Sequence, residues 1–462
     1  MARTSNESFG QLNFAHAQLG DKRRTKRLVS LADRIHRHPG GTLPDKIKSP
    51  TDLKALYRMC NCEAVPHAAV MNAVRQRTLE KIAETEGVVL IVHDTTELDY
   101  TAHKSLADQL GQIGDGGGKG YICHNSLAVV PDQRTAIGLT NQILHHRADV
   151  PENETQREHR KRESRESRLW LKGTEGLPGD ARLVDVCDRG ADTFEFLEYE
   201  QLKSGRSFVV RSSQNRMMLV GHGHATKKHL LHDWLPSQPS VGKRTVHISG
   251  RYGQTPRKAV VQVSFAAVRI LAPQVHSGEH ENKPLPMWVV RAAEANPPEG
   301  EEPTEWILLT NIPVKNFQDA PRVLCHYECR WVVEELHKGQ KTGCQIEQMQ
   351  FTDIKRLEPM IAILSVVAVA LLNLRDASRR PDAKQKRATD LFSMDYVRVL
   401  SAWRWKRIYE DMTIHDFFRA LARLGGHQNR KGDHPPGWLI LWRGWTMLQA
   451  MLDGVETIKK CG

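Results

Sequence analysis

The chain has 462 residues, which is enough for two to four domains with hydrophobic cores of their own. Its 66 Lys and Arg residues outnumber 54 Asp and Glu residues, and the resulting net charge of +12 favours a polyanionic partner, nucleic acid first. Eight cysteines in this length are too few for a disulfide scaffold, and their spacing disfavours structural zinc, so reduced thiols in the cytoplasm are expected.

The first 63 residues are predicted to be helical and basic. Asp21 precedes KRRTKRLVSLADRI and is a candidate N-cap for a helix whose apolar stripe is Leu28, Leu31 and Ile35. Five cations crowd the first turns of this helix: Lys22, Arg23, Arg24, Lys26 and Arg27. Cations at a helix N-terminus oppose the helix dipole, which suggests a bound anion, although a solubilising charged surface is the alternative.

Short apolar runs rich in β-branched residues predict five strands after residue 87. They are VVLIVHD (88–94), NSLAVV (125–130), TAIGLTNQIL (135–144), RLVDVCD (182–188) and SFVVRSS (207–213). The glycine-rich GDGGGKG (114–120) lacks the spacing of a phosphate-binding loop and is predicted to be a flexible loop. Residues 214–312 alternate in polarity and predict an antiparallel β region, so we expect an α/β core with a β insertion.

The most apolar run, MIAILSVVAVALLNL (360–374), predicts a buried helix. It is shorter than the roughly 20 residues that span a bilayer, so no membrane partner is expected. Near the C-terminus, WLILWRGWTMLQAMLDG (438–454) predicts a helix with an apolar surface suited to packing or association.

The segment YECRWVVEELHKGQK (327–341) predicts an amphipathic helix. Tyr327, Arg330, Glu334 and Lys341 are spaced by three, four and seven residues, so they fall on one face of a regular helix. A single helix of this kind most often turns such a face to water.

Two aspartates occupy equivalent positions, because Asp94 and Asp188 each end a predicted buried strand. Sites of open α/β sheets lie at the carboxyl ends of strands, so the two carboxylates meet if the strands are neighbours. Glu334 is a third candidate. Three oxygen ligands suit Mg²⁺ or Mn²⁺, and two such ions can activate a nucleophile and stabilise a leaving oxygen. A loop-capping role is the alternative for either aspartate taken singly.

These residues also resemble a known family, the bacterial DDE cut-and-paste transposases of the IS-four type. The spacing Tyr327-x2-Arg330-x3-Glu334-x6-Lys341 is similar to the Y-R-E-K signature of that family. HDTTELDY (93–100) and CDRGAD (187–192) resemble its two aspartate blocks. Looser matches are LGDKRRTKRLV (19–29), EWILLTN (305–311), RLGGHQNRKG (423–432) and the C-terminal apolar segment.

The resemblance implies an RNase H-like catalytic core, a mixed five-stranded sheet with flanking helices, at 64–213 and 313–376. A helical DNA-binding domain would span 1–63, the β-rich insertion 214–312, and a helical dimerisation region 377–462. Asp94, Asp188 and Glu334 would bind two Mg²⁺ ions, with Mn²⁺ as a substitute. The implied partners are double-stranded DNA, as transposon ends and as target, and a second copy of the chain in a synaptic homodimer in the bacterial cytoplasm.

The resemblance also implies DNA contacts. Tyr327, Arg330 and Lys341 would hold phosphates, and Trp306 would stack on a flipped base before a hairpin forms. Other implied contacts are His337, Lys338, Arg189, Arg211, Arg24 and Arg27. The sequence departs from the family's pattern at Gly190 and Gln340, where altered DNA contacts are expected. A structure-selective nuclease and a non-catalytic DNA-binding descendant are the alternative functions.

Overall fold

The computed structural model describes residues 7–147, 153–155, 158, 161–221, 225–248, 257–273, 281, 283–430, 433 and 435–461. The protein is a mixed α/β structure with one large mixed sheet and helices at both ends. The strands are β1 Val89–Asp99, β2 Gly111–Ile113, β3 Gly118–Val130, β4 Thr135–His145, β5 Leu183–Cys187, β6 Ser207–Arg211, β7 Met217–Val220, β8 Lys227–Leu230, β9 Gly242–Ile248, β10 Arg257–Ile270, β11 Leu285–Glu294 and β12 Glu305–Thr310.

The α-helices, numbered along the described residues, flank this sheet. They are α1 Phe9–Phe14, α2 Lys22–Arg37, α3 Leu43–Ile47, α4 Pro50–Cys60, α5 His67–Ala83, α6 Leu169–Thr174, α7 Phe194–Leu202, α8 Leu231–Trp234, α9 Ala320–Glu328, α10 Trp331–Lys338, α11 Ile354–Ser378, α12 Met394–Trp405, α13 Ile414–Leu424 and α14 Trp438–Cys461.

The N-terminal helix α2 begins where the sequence predicts. The Asp21 carboxylate accepts a hydrogen bond from the Arg23 amide at 2.8 Å and so satisfies one free N–H of the first turn. Leu28, Leu31 and Ile35 are fully buried. The predicted cap and apolar stripe are therefore confirmed.

Five strands form the part of the sheet that positions the site, in the order β4-β3-β1-β5-β6. Strand β3 is antiparallel to both β1 and β4, whereas β5 and β6 run parallel to β1. All five predicted strands exist, but β1 and β3 are much longer than predicted. Strand β1 continues five residues past Asp94, because β3 pairs with it as far as Asp99.

The glycine-rich segment 114–120 also differs from the prediction. It is a tight connection between β2 and β3, and residues 118–120 already belong to β3. Gly120 lies so close to β1 that a Cβ atom would be 1.9 Å from the Leu98 carbonyl oxygen. Close strand approach, and not loop flexibility, therefore explains this glycine.

The β region after β6 extends the same sheet. Strands β7 to β11 are antiparallel where they pair, and β12 joins them to the core by pairing with both β11 and β6. Residues 222–224, 249–256, 274–280 and 282 of the predicted insertion lie outside the described residues.

The predicted buried helix is α11, which is 25 residues long. By length and composition it could cross a membrane, but 78% of its most apolar window is buried inside the protein, which is consistent with a soluble protein. Helices α12, α13 and α14 complete this end, where the rings of Tyr396 and Trp445 stack at 5.1 Å and those of Phe392 and Phe417 at 4.2 Å.

Candidate active site

The two aspartates lie on neighbouring strands, β1 and the end of β5. Strands β1 and β5 are parallel neighbours, and their last recorded pair is His93 with Cys187, the residues immediately before Asp94 and Asp188. Asp94 is 9% exposed. Asp188 accepts a hydrogen bond from the Gly190 amide at 3.0 Å as the chain leaves β5. The condition under which the sequence brings the two aspartates together, that their strands are neighbours, is therefore met.

The predicted helix 327–341 is interrupted. Helix α9 ends at Glu328, α10 begins at Trp331, and a π-helical turn follows over residues 339–343. Around Arg330 the amides bond to carbonyls three residues back, such as Arg330 to Tyr327 at 3.0 Å. This tighter turn changes the angular spacing. The prediction of one continuous helix over this segment was therefore wrong, and Tyr327 is only 1% exposed.

Arg330 connects the aspartate and glutamate candidates. Its Nη1 donates to Asp94 Oδ2 at 2.7 Å, and its Nη2 donates to Glu334 Oε1 at 2.7 Å. The Arg330 side chain is 6% exposed, and its charge-assisted hydrogen bond to Asp94 is buried, whereas the one to Glu334, 29% exposed, is partly open to solvent. This guanidinium therefore connects the start of helix α10 to the point where the parallel pairing of β1 with β5 ends.

The site strongly perturbs its carboxylates. Burial raises the pKa of Asp94 to about 7; the Arg330 guanidinium opposes this, while the charges of Asp188 and Glu334 raise it further. Burial also raises the pKa of Asp188, against the hydrogen bond from the Gly190 amide and the field of Arg330. In both aspartates burial therefore favours the protonated form, and the positive charge of Arg330 favours the ionised form.

In the described part of the chain, no group of three His, Cys, Asp or Glu side chains is arranged to hold a metal ion. The Arg330 guanidinium supplies the positive charge between Asp94 and Glu334. The donor set offers only carboxylate oxygens, which are the ligands that a hard divalent cation prefers.

Trp306 and Tyr327 form a buried pair beside the site. Their ring centroids are 5.3 Å apart in an edge-to-face arrangement, and Trp306 is 4% exposed. Stacking of Trp306 on a base would require the indole to be uncovered. Arg211 lies nearby on β6 and donates to the Glu305 carbonyl at 2.9 Å.

The remaining predicted contacts of this region differ in exposure. Lys338 and Arg189 are exposed, and Lys341 lies 3.4 Å from Glu347 Oε1. His337 is buried, and burial with the nearby charges of Lys341 and Arg330 lowers its pKa to about 3. His337 is therefore neutral at physiological pH.

The two N-terminal candidates lie on α2. Arg24 is partly buried and its Nη1 donates to the Leu19 carbonyl at 2.9 Å. Arg27 is exposed and lies 3.3 Å from Asp52 Oδ1. Neither is near the carboxylates in sequence, and both belong to the basic first turns of α2.

Two departures from the family's pattern have structural explanations. A Cβ atom on Gly190 would lie 2.2 Å from the Trp170 ring, whose indole N–H is close to Asp188 and lowers the pKa of that carboxyl. Gln340 is fully buried and donates to Ser365 Oγ at 2.8 Å. The Gln340 side chain therefore belongs to the interior, and the expected change in DNA contacts at this position stays a prediction.

Sequence reasoning missed a buried ionic network beneath the carboxylates. His93 Nε2 lies 2.7 Å from Asp185 Oδ1, and His93 Nδ1 lies 3.0 Å from Ser126 Oγ. The Arg206 guanidinium donates to Asp185 Oδ2 at 2.7 Å and to Glu200 Oε1 at 3.2 Å. All of the charged side chains in this network are fully buried. The available signal was Asp185, a carboxylate inside an apolar strand.

The network links β3, β1 and β5 at His93, the residue immediately before Asp94. The pKa of Asp185 is lowered by its bonds to His93 and Arg206 against strong burial, whereas burial and the charge of Asp185 raise the pKa of Glu200. This arrangement fixes the separation of the two strands that carry the site aspartates.

Comparison with known protein families adds an independent finding at the N-terminus. Residues 6–65 match the model of the family described as transposase DNA-binding. This region comprises α1 to α4 and includes the basic turns of α2. The match supports a DNA-binding transposase, a class of enzyme that cuts and joins DNA.

Proposed function

We propose that the protein is a DDE transposase that binds the terminal inverted repeats of a mobile element, cleaves both strands and joins the 3′-hydroxyl ends to target DNA. The observation that carries this proposal is the convergence of Asp94, Asp188 and the Arg330–Glu334 pair at the point where the parallel pairing of β1 with β5 ends. The transposase DNA-binding match supplies the substrate class.

The arrangement of the strands supports an RNase H-like core. Three antiparallel strands followed by two strands parallel to the first, in the order β4-β3-β1-β5-β6, agree with the mixed five-stranded sheet expected of that fold. Helix α10 then brings Glu334 to the sheet from a distant part of the chain.

Asp94, Asp188 and Glu334 would hold two Mg²⁺ ions, or Mn²⁺ in their place. Bound divalent ions supply activation of the attacking hydroxyl and stabilisation of the leaving oxygen in an in-line displacement. Arg330 would exchange its carboxylate partners for a phosphate, because a phosphodiester offers the same bidentate oxygen geometry. Lys341 would neutralise a second phosphate.

The same site serves each step because only the nucleophile changes. Water first displaces the 3′-oxygen of one strand and leaves a free 3′-hydroxyl. That hydroxyl attacks the opposite strand, which forms one phosphodiester bond and breaks another to give a hairpin. Water reopens the hairpin, and the released 3′-hydroxyl attacks a phosphodiester of the target. Trp306, once uncovered, would hold the flipped base that allows the hairpin to form.

The test uses the full chain with duplexes that carry the inverted repeats flanking its gene. With Mg²⁺ or Mn²⁺ we expect nicked ends, hairpins and products joined to target DNA. An Asp188→Ala variant should bind the duplex but cleave none of it. Full cleavage by that variant would refute the assignment of the carboxylates.

Joined products also separate this function from its alternatives. A structure-selective nuclease yields cleaved ends that are never joined, whereas a non-catalytic descendant binds the duplex without detectable uptake of Mn²⁺ in calorimetry. Two copies of the chain bound to two ends in one complex, measured by light scattering, are expected for a synaptic homodimer.

A further inference from the structure

Glu328 lies at the junction of helices α9 and α10, two residues before Arg330. It is only 5% exposed, although a carboxylate is rarely buried unless it is paired. Its Oε2 accepts a hydrogen bond from Arg134 Nη2 at 3.0 Å, and its Oε1 accepts one from Arg244 Nη2 at 3.2 Å. Glu328 therefore joins three segments that are far apart in the chain.

The first partner, Arg244, belongs to β9 and lies along one side of α9. Besides Glu328, its guanidinium contacts the Pro321 carbonyl and Cys325 Sγ, the latter at 3.0 Å. These three partners are spaced by four and three residues, which places them on one face of the helix. Strand β9 is thus attached along the helix that leads to Arg330.

The second partner, Arg134, ends the turn between β3 and β4. Its backbone is left-handed, with a φ of 52°, a conformation that a residue other than glycine keeps only where its surroundings hold it. In the same turn, the Pro131 carbonyl accepts from Cys329 Sγ at 3.7 Å. The β3–β4 turn therefore contacts the helix junction at two adjacent residues, Glu328 and Cys329.

The junction also sets the direction of Arg330. The amides of Cys329 and Arg330 bond to carbonyls three residues back, at 3.1 and 3.0 Å. Side chains two residues apart on such a turn differ in direction by about 200–240°. Glu328 and Arg330 therefore project to opposite sides, and Arg330 reaches Asp94 at 2.7 Å. An anchored Glu328 fixes the rotation of the turn from which Arg330 projects.

We propose that Glu328 is a positioning residue that aims Arg330 at Asp94 and Glu334 and couples the position of the β insertion (residues 214–312) to the active site. Its two arginine partners hold the turn from the β3–β4 connection and from β9. A displacement of β9 withdraws Arg244 from α9 and loosens the turn. The inference rests on the proposed function for the reaction that Arg330 serves.

The insertion contains a matched pair for the alternative role, a buried ion pair that only adds stability. Glu294 is 8% exposed and accepts from Arg257 Nη2 at 2.8 Å and from the Thr304 amide at 3.2 Å. Both of these partners belong to the insertion. Glu294→Gln therefore removes a carboxylate of similar burial without touching the α9–α10 junction.

The first test measures the turn itself, in the full chain without DNA. Amide hydrogen exchange is followed by mass spectrometry on peptides that cover residues 326–333. Glu328→Gln removes the charge with little change in size and should speed exchange there about tenfold. Arg244→Gln should have the same effect, and it serves as the second variant if Glu328→Gln does not fold. Glu294→Gln should leave exchange of this segment unchanged.

The second test measures cleavage of the terminal-repeat duplex in a single turnover with Mg²⁺, and duplex affinity by anisotropy. Glu328→Gln and Arg244→Gln should each slow cleavage about tenfold at parental affinity, because a small misplacement of a substrate-positioning group is costly. The double variant should lose no more than Glu328→Gln alone, since both changes act through one turn. Glu294→Gln should cleave at the parental rate.

The outcomes separate this inference from the proposed function. Parental exchange in both Glu328→Gln and Arg244→Gln overturns the positioning role and leaves the proposed function intact. Faster exchange with parental cleavage, or an equal loss of cleavage in Glu294→Gln, also overturns it. If the parental chain cleaves no terminal duplex with Mg²⁺ or Mn²⁺, the proposed function fails, and the exchange measurement still decides whether Glu328 holds the turn of Arg330.

Discussion

Arg330 donates from Nη1 to Asp94 Oδ2 across 2.7 Å, and this bond joins a helix to a strand that lies 236 residues earlier in the chain. The same guanidinium bonds to Glu334 one helical turn later. Arg330 thus supplies a positive charge between the carboxylates of Asp94 and Glu334. The contact joins Arg330, which is proposed to bind a phosphate, to Asp94, which is proposed to bind divalent ions.

Arg330→Gln tests this relationship. Without the guanidinium, Asp94 and Glu334 lose their buried counterion. We therefore expect the free energy of unfolding at pH 8 to fall by about 1–3 kcal/mol. This loss is smaller than that for a fully buried ion pair, because Asp94 can take up a proton. Chemical denaturation measures this. Cleavage of the terminal duplex should be lost as well. Arg330→Lys keeps the charge but not the bidentate geometry of the guanidinium. It should therefore restore the free energy of unfolding more fully than it restores cleavage.

Asp94 should give the protein a distinctive pH dependence. Its pKa is raised to about 7, so between about pH 4 and pH 7 the folded protein holds a proton that the unfolded chain has released. Stability therefore falls as the pH rises through this window, by up to about 4 kcal/mol from this one group. The loss is complete above pH 7.

The measurement compares urea unfolding of the parental protein and Asp94→Asn from pH 4 to pH 8. The stability difference between the two proteins should change in favour of the variant as the pH rises. A difference that stays constant across this range would show that Asp94 ionises normally in the folded protein.

Gly190→Ala should destabilise the region of Asp188. The new methyl group would lie 2.2 Å from the Trp170 ring, and the displaced indole would cost about 1–3 kcal/mol. Thermal unfolding followed by circular dichroism provides the measurement. Gly117→Ala, where the added Cβ has no atom within 4 Å, is the matched control. If the cost comes from overpacking, it should shrink when Trp170 is also replaced by Leu.

The buried network predicts a large difference between two aspartates of the same segment. Asp185→Asn leaves Arg206 and His93 without their shared buried counterion, and we expect a loss of about 3–5 kcal/mol. Asp180→Asn removes a solvent-exposed pair with Arg182, 2.8 Å apart, and should cost less than about 1 kcal/mol. Equal losses, measured by urea denaturation, would contradict the structural role of the network.

Much of the local structure could be predicted from the residues alone. The Asp21 cap, the stripe of Leu28, Leu31 and Ile35, the five core strands and the buried α11 follow from short-range periodicity and capping chemistry. The sequence also singled out Asp94 and Asp188, because each directly follows an apolar run, although only Asp188 lies at the end of its strand.

Other features depended on pairing between distant segments. Strand β1 continues to Asp99 because β3 supplies hydrogen bonds there, and no local pattern encodes that partner. The regular spacing in 327–341 did not reveal the tight turn at Arg330, since the turn aims the guanidinium at Asp94 on another element. The packing of Trp170 against Gly190 likewise could not be predicted from the sequence.

By itself, then, the sequence determined which segments become helices or strands and which side chains could carry chemistry, because those properties depend on neighbours a few residues away. Only the tertiary structure decided that β1 and β5 are parallel neighbours and that Arg330 lies between the carboxylates of Asp94 and Glu334. It also decided that His93, Asp185 and Arg206 form one buried network. These are long-range contacts, and their energies arise from burial and charge that exist only after the chain has folded.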